Sequence, residues 1–218
     1  MRAVHVNVSV PPNLIEELER KLDGIKKPEN VMKQAVNTTS RKLLKEIART
    51  VPKAYRYKGG AAAVTKVSSR TTATVANPAV DLVFRGKTTE IQAFYLSPGL
   101  VKGQLLYGAV EKKRKPVLLE KGASKAFVVR FKNGHVSVVY RAEESKADPT
   151  RAQNARYKGA DQKGGYRYNK HTATLKRYNS PSIPSMVKNE KVWGKLEGKY
   201  QGVLEKEIRK VMEKALYG

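Results

Sequence analysis

Residues 28–52, PENVMKQAVNTTSRKLLKEIARTVP, decide how the rest of the chain is read. Met32, Val36, Leu43 and Ile47, with Thr39 between them, recur at helical spacing and form one apolar stripe. Arg41, Lys42, Lys45 and Arg49 point away from that stripe at about 100° per residue. Proline at either end bounds the segment, so a helix from about Pro28 to Pro52 is expected. Upstream, Val4, Val6, Val8 and Val10 alternate with His5, Asn7 and Ser9, the period-two pattern of a half-buried strand. Pro11 and Pro12 close it, and Leu14, Ile15, Leu18, Leu22 and Ile25 then predict a short helix ending near Gly24.

Downstream the texture turns to short runs of Val, Thr, Phe and Tyr. Strands are expected at 63–67, 72–75, 80–84, 91–94, 127–131 and 136–140, with 117–119 a further strand or a short buried piece. The last pair flanks Lys132-Asn133-Gly134-His135, a hairpin signal in which both turn residues would take positive φ. Residues 141–179 read as a long basic loop or arm. After it, Pro181 and Pro184 make a rigid connector to a helix from about Lys188 to Leu216. Its stripe includes Trp193, Leu196, Tyr200, Val203, Leu204, Ile208, Val211 and Ala215, with Trp193 expected as a core anchor. Gly194, Gly198 and Gly202 flank that stripe, either weakening the helix or admitting another backbone. The expected fold class is α+β: helices packed on a largely antiparallel β-sheet, with a C-terminal amphipathic helix. The expected organisation is an N-terminal part (1–140), an inserted arm (141–179) and a connector plus helix (180–218).

Charge sets the functional direction. Among 218 residues, 44 Lys and Arg oppose 19 Asp and Glu, a formal net charge of +25. Such an excess repels itself in a compact fold and calls for a neutralising partner: nucleic acid first, then an acidic protein or an anionic membrane. Lys112, Lys113, Arg114 and Lys115 form a compact basic run, either an exposed turn or a phosphate contact. Within the arm, Arg151, Arg156, Lys158, Lys163, Arg167, Lys170, Lys176 and Arg177 meet only Asp161, with Tyr157, Tyr166, Tyr168 and Tyr178 interleaved. That composition suits phosphate neutralisation and base stacking without sequence readout, although the tyrosines would equally anchor the arm on protein. The repeat of Arg-Tyr-Lys-Gly at 56–59 and 156–159 reads as chance in a Lys-rich chain.

Catalytic patterns do not assemble in the sequence. His5, His135 and His171 lack ligand spacing, and with no cysteine there are neither disulfides nor thiolate metal sites, so no metal or other cofactor is expected. Asp81, Glu90 and Asp148 stand apart, which disfavours a two-metal nuclease. Gly86-Lys87-Thr88 imitates the end of a phosphate-binding loop, but Asp81 occupies the position of the required first glycine. A non-enzyme is expected. Residues 1–12 have no apolar signal core, and no run approaches about 18 apolar residues, so an intracellular product without membrane partners is expected.

The segment Ser180-Pro181-Ser182-Ile183-Pro184-Ser185-Met186, then Asn189-Glu190-Lys191-Val192-Trp193 and a long amphipathic helix, resembles the end of the bacteriophage minor tail protein Z family. Residues 133–141, NGHVSVVYR, are similar to that family's Gly-His strand, and the helix over 31–51 followed by Pro52, Tyr55 and a β-rich region is similar to its layout. The likeness runs in order through most of residues 28–218. The basic arm and the first 27 residues depart from it. The resemblance implies a virion structural protein, assembled in the host cytoplasm, that completes the tail at the head–tail junction. It implies a homo-oligomeric ring, contacts with tail-terminator, tail-tube and head–tail connector proteins, and genome DNA in the lumen. Pro181, Ile183, Pro184, Trp193, Leu196 and Tyr200 would then be structural or interface residues. A stand-alone, non-specific DNA- or RNA-binding protein is the alternative.

Overall fold

The computed structural model describes residues 2–10, 28–141 and 175–217. The fold class is α+β, and the described chain gathers into two compact units that do not follow chain order. One holds residues up to Thr89, then Glu111–Lys113 and everything from Pro181 onward; the other holds Glu90–Val110 and Arg114–Ser180. The expected helix at 14–25 lies outside the described residues.

The first unit contains β1 (Arg2–Ser9), α1 (Pro28–Ala54), α2 (Gly60–Lys66), β2 (Ser68–Arg70) and β3 (Ala79–Gly86). It ends in α3 (Ile183–Lys188) and α4 (Trp193–Tyr217). Its sheet is antiparallel in the order β1-β3-β2. The register sets Val4 opposite Phe84, Val6 opposite Leu82 and Val8 opposite Val80, so one face of the sheet is continuous aliphatic and aromatic surface. That face packs on α1 and α3, and α1 in turn packs on α4. Val36, Ile47, Val51, Val80, Leu82, Phe84, Met186, Leu204 and Ile208 are sealed from solvent. Each such side chain contributes about 1.5–3 kcal/mol of burial.

α1 matches its expected span, with Thr39, Val36, Leu43 and Ile47 buried and Arg41, Lys42, Lys45 and Arg49 exposed. Val31 rather than Met32 begins the buried stripe. Pro52 is accommodated in the last turn, where losing one backbone donor disturbs little.

Two expected strands in this unit are corrected. Residues 63–67 belong mainly to helix α2, because the Ala61-Ala62-Ala63 run favours helix more than Val64 and Val67 favour strand. Residues 72–75 are not a strand. Ala73 is instead bound by the Asn37 side chain, which donates from Nδ2 to the Ala73 carbonyl (3.1 Å) and accepts at Oδ1 from the Ala73 N–H (3.2 Å).

The C-terminal segment is also corrected. Pro184 is the second residue of helix α3, capped by the Ser182 hydroxyl accepting from the Ser185 N–H (3.3 Å), so 181–184 is a helix start rather than a connector. The expected helix from Lys188 does not begin there, because Asn189 is extended and its carbonyl accepts from the N–H groups of both Val192 and Trp193. α4 starts at Trp193. Gly198 and Gly202 are exposed, with nothing within 4 Å of an added Cβ. Gly86 has a clear packing reason: a Cβ there would come within 3.1 Å of Pro184 Cδ.

Strands make up most of the second unit. In chain order come the end of β4 (Thr89–Glu90), a 3-10 turn at Ile91–Ala93, β5 (Tyr95–Ser97), β6 (Tyr107–Ala109), β7 (Val117–Leu118), β8 (Glu120–Lys121) and β9 (Ser124–Lys125). β10 (Phe127–Arg130), β11 (Val136–Arg141), β12 (Leu175–Arg177) and β13 (Asn179–Ser180) follow. Two of its sheets are three-stranded and antiparallel, β5-β6-β7 and β10-β11-β12, and Ile91, Phe94, Leu106, Leu119 and Val138 are among the unit's buried residues.

The expected strand at 91–94 is a 3-10 turn, and Gln92 again substitutes a side chain for a strand. Its Nε2 donates to the Val136 carbonyl (2.9 Å) and its Oε1 accepts from the Val138 N–H (3.3 Å). The hairpin at 131–135 is present, but only Gly134 has positive φ (79°); Asn133 does not. Its Oδ1 accepts the His135 N–H, making a three-residue loop in place of the expected two-residue turn. The arm expected over 141–179 is shorter at both ends, because Arg141 pairs with Leu175 and Tyr140 with Lys176 as strand neighbours.

Candidate nucleic-acid interface

Lys112, Lys113, Arg114 and Lys115 lie in the exposed connection between β6 and β7. Within the first unit, the short piece Glu111–Lys113 is held to the end of α1. The Lys112 N–H donates to the Ala54 carbonyl (3.0 Å), Tyr55 and Glu111 form a β-bridge, and Arg56 donates to the carbonyl of Lys112 (3.2 Å). Lys112 thus starts from a fixed backbone while its ammonium-bearing side chain is exposed to water. Such groups hold phosphate by charge and carry no base readout.

Of the arm residues, Arg151, Arg156, Lys158, Lys163, Arg167 and Lys170 lie outside the described residues. Lys176 and Arg177 are exposed on β12. Arg177 is shared with an acid: its guanidinium lies 3.2 Å from Glu90 Oε1, so part of its charge is already answered.

Glu90 is the centre of a cluster that sequence spacing conceals. The Ser137 hydroxyl donates to its Oε2 (2.7 Å), and His135 Nε2 lies 3.2 Å from Oε1. His135 and Ser137 are two residues apart, which turns them to one side of the hairpin and is the one local signal. Ser137 is fully buried, and its proton is directed to a carboxylate rather than to the imidazole. The arrangement ties β11 and β12 to Glu90 and leaves the hydroxyl no access to a substrate. Asp81 is on the other unit, where its Oδ1 accepts from Asn7 Nδ2 (2.8 Å), and Asp148 is outside the described residues. Among the described residues no three His, Asp or Glu side chains gather as metal ligands, and no helix is long and apolar enough to cross a membrane.

The remaining expected positions divide by burial. Ile183, Pro184 and Leu196 are buried, and Pro181 is exposed. Trp193 is only partly buried; the core position is taken by its neighbour Val192, which is fully enclosed. Trp193 instead borders a groove of about 380 Å³ shared with Ala3–Asn7, Val187 and Lys188. Tyr200 lines a second cavity, of about 290 Å³, between α1 and α4. Its hydroxyl and that of Thr39, on the same cavity, have no hydrogen-bond partner among the described residues.

The fold and these surfaces define a basic α+β protein whose exposed charge exceeds its internal pairing. Comparison with protein-family models found no match, and neither did comparison with curated proteins or with solved structures.

Proposed function

We propose that this chain is a structural subunit of a long-tailed phage particle, completing the tail at the head–tail junction as a ring through which genome DNA passes. The supporting observation is the build of the segment that resembles the minor tail protein Z family. Ser182 caps α3, Ile183, Pro184, Met186 and Val187 are buried, and Val192 closes the turn from which α4 departs. The residues that carry the resemblance are therefore those that seat the C-terminal helix, a role in shape rather than chemistry. The net charge of +25 and the exposed Lys112–Lys115 run suit a lumen that holds phosphates without reading bases.

The same charge favours, as a second reading, a stand-alone protein that coats DNA or RNA non-specifically. Native mass spectrometry and co-sedimentation with isolated phage tails that lack their head-proximal end separate the two. The tail reading expects a closed oligomer that pellets with such tails. A protein that ignores tails and covers duplex DNA along its length would overturn it in favour of the second.

A further inference from the structure

We propose that the open edge of β1 is a docking groove for an extended, acidic peptide segment of another protein. β1 is the outer strand in the order β1-β3-β2, and among the described residues it pairs only with β3. Its eight residues are paired in register without a bulge, and none is Pro or Gly. Within the strand itself, neither a bulge nor a proline blunts this edge against further pairing. The groove beside it is lined by Ala3, Val4, His5, Val6 and Asn7 in succession. Consecutive strand residues point to opposite faces, so a cavity that touches five in a row follows the strand's edge rather than either face. Val187, Lys188 and the partly exposed Trp193 form its outer wall. An added strand would gain main-chain hydrogen bonds from β1 and side-chain contact with Trp193.

The charge around the groove selects the occupant. His5 and Lys188 are exposed on it, and among the described residues its lining holds no carboxylate; the nearby Asp81 is already engaged by Asn7. A second copy of the chain would bring another +25 to the same place. A nucleic acid offers phosphate acceptors to the N–H groups of the edge but leaves its carbonyls unpaired. A peptide backbone matches both, and acidic side chains match the rim. This inference is independent of the tail reading, since it concerns a protein partner of any assembly.

Trp193 is the only tryptophan in the chain, so its fluorescence reports directly on the groove. The probe is an octapeptide of alternating Glu and Val, titrated against the full-length protein. The expected result is a saturable change in Trp193 emission together with slower amide exchange over Ala3–Asn7. A Lys-Val octapeptide, and a Glu-Val peptide N-methylated at alternate amides, should leave both unchanged. Lys188→Glu should weaken the Glu-Val peptide about three- to fivefold without altering the fold. The proposal is overturned by no saturation at millimolar peptide, by equal binding of the Lys-Val or N-methylated peptide, or by a duplex oligonucleotide giving the same emission change. A Trp193 change that follows protein concentration alone would equally overturn it and assign the edge to a second copy.

Discussion

Asn37 and Ala73 exchange two hydrogen bonds, the Asn37 amide donating to the Ala73 carbonyl at 3.1 Å and accepting from its N–H at 3.2 Å. Ala73 is fully buried, so its backbone groups have no recourse to water. Arg70 also donates to Asn37 Oδ1 (3.1 Å) and to the Ser40 hydroxyl (3.2 Å), joining β2 to α1. Asn37→Leu should strand both Ala73 groups and destabilise the protein by about 2–4 kcal/mol. Asn37→Asp keeps an acceptor for Arg70 and the Ala73 N–H and loses only donors, so its loss should be smaller. Urea denaturation of both variants measures the difference.

Glu90 should matter in proportion to what it holds. Glu90→Ala leaves the buried Ser137 hydroxyl without its carboxylate and releases Arg177, a loss of about 1–3 kcal/mol. Ser137→Ala removes the donor itself and should be milder, near 1 kcal/mol. Arg177→Gln, at an exposed site, should change stability by less than about 1 kcal/mol. Thermal unfolding of the three variants checks the order.

Burial raises the Tyr200 phenol well above its ordinary value of 10.0, favouring the neutral form in the folded protein. The resulting stability is present in full below pH 10, the unfolded value, and is lost as the pH rises above it. Burial, followed by the Glu111 charge, also raises Tyr55, so Tyr200 carries part of the alkaline sensitivity and not all of it. Tyr200→Phe removes a hydroxyl that has no partner among the described residues. At pH 7 the variant should be as stable as the parent or more so by up to about 1 kcal/mol. Its alkaline unfolding midpoint should lie at higher pH. Denaturation followed from pH 7 to 12 tests both.

The basic residues should act through counterion release. Replacing Lys112, Lys113, Arg114 and Lys115 by Gln should reduce the salt slope of duplex DNA binding by up to about 3–4 units if all four touch phosphate. The same holds for Arg151, Arg156, Lys158 and Arg167 in the arm. Affinity should be indifferent to base sequence in either case. Titrations at several salt concentrations give the slopes. An unchanged slope in one variant would remove its four residues from the DNA-facing surface.

Local pattern in the sequence was sufficient for α1, β1, β3, β10 and β11. α1 and β1 bury stripes whose spacing equals their own repeat, so Val6, Val8, Val36 and Ile47 are recognisable without knowing what covers them. β3, β10 and β11 were legible instead as short runs of Val, Phe and Tyr, the last two flanking an Asn-Gly turn. The basic run at 112–115 was legible for the same reason, because a charge cluster needs no partner to be seen. The tertiary structure decided where neighbours outvoted local preference. Asn37 and Gln92 supply strand-like bonds from side chains, replacing strands that the Val and Thr content over 72–75 and the aromatic content over 91–94 had predicted. Glu90 meets Ser137 across 47 residues of chain, a distance at which sequence spacing carries no signal. Trp193 yields the core to Val192 because Asn189 ends one helix and sets the phase of the next. Hydrogen bonds and burial that close only in three dimensions determined these positions, because an isolated segment has no partner with which to make them.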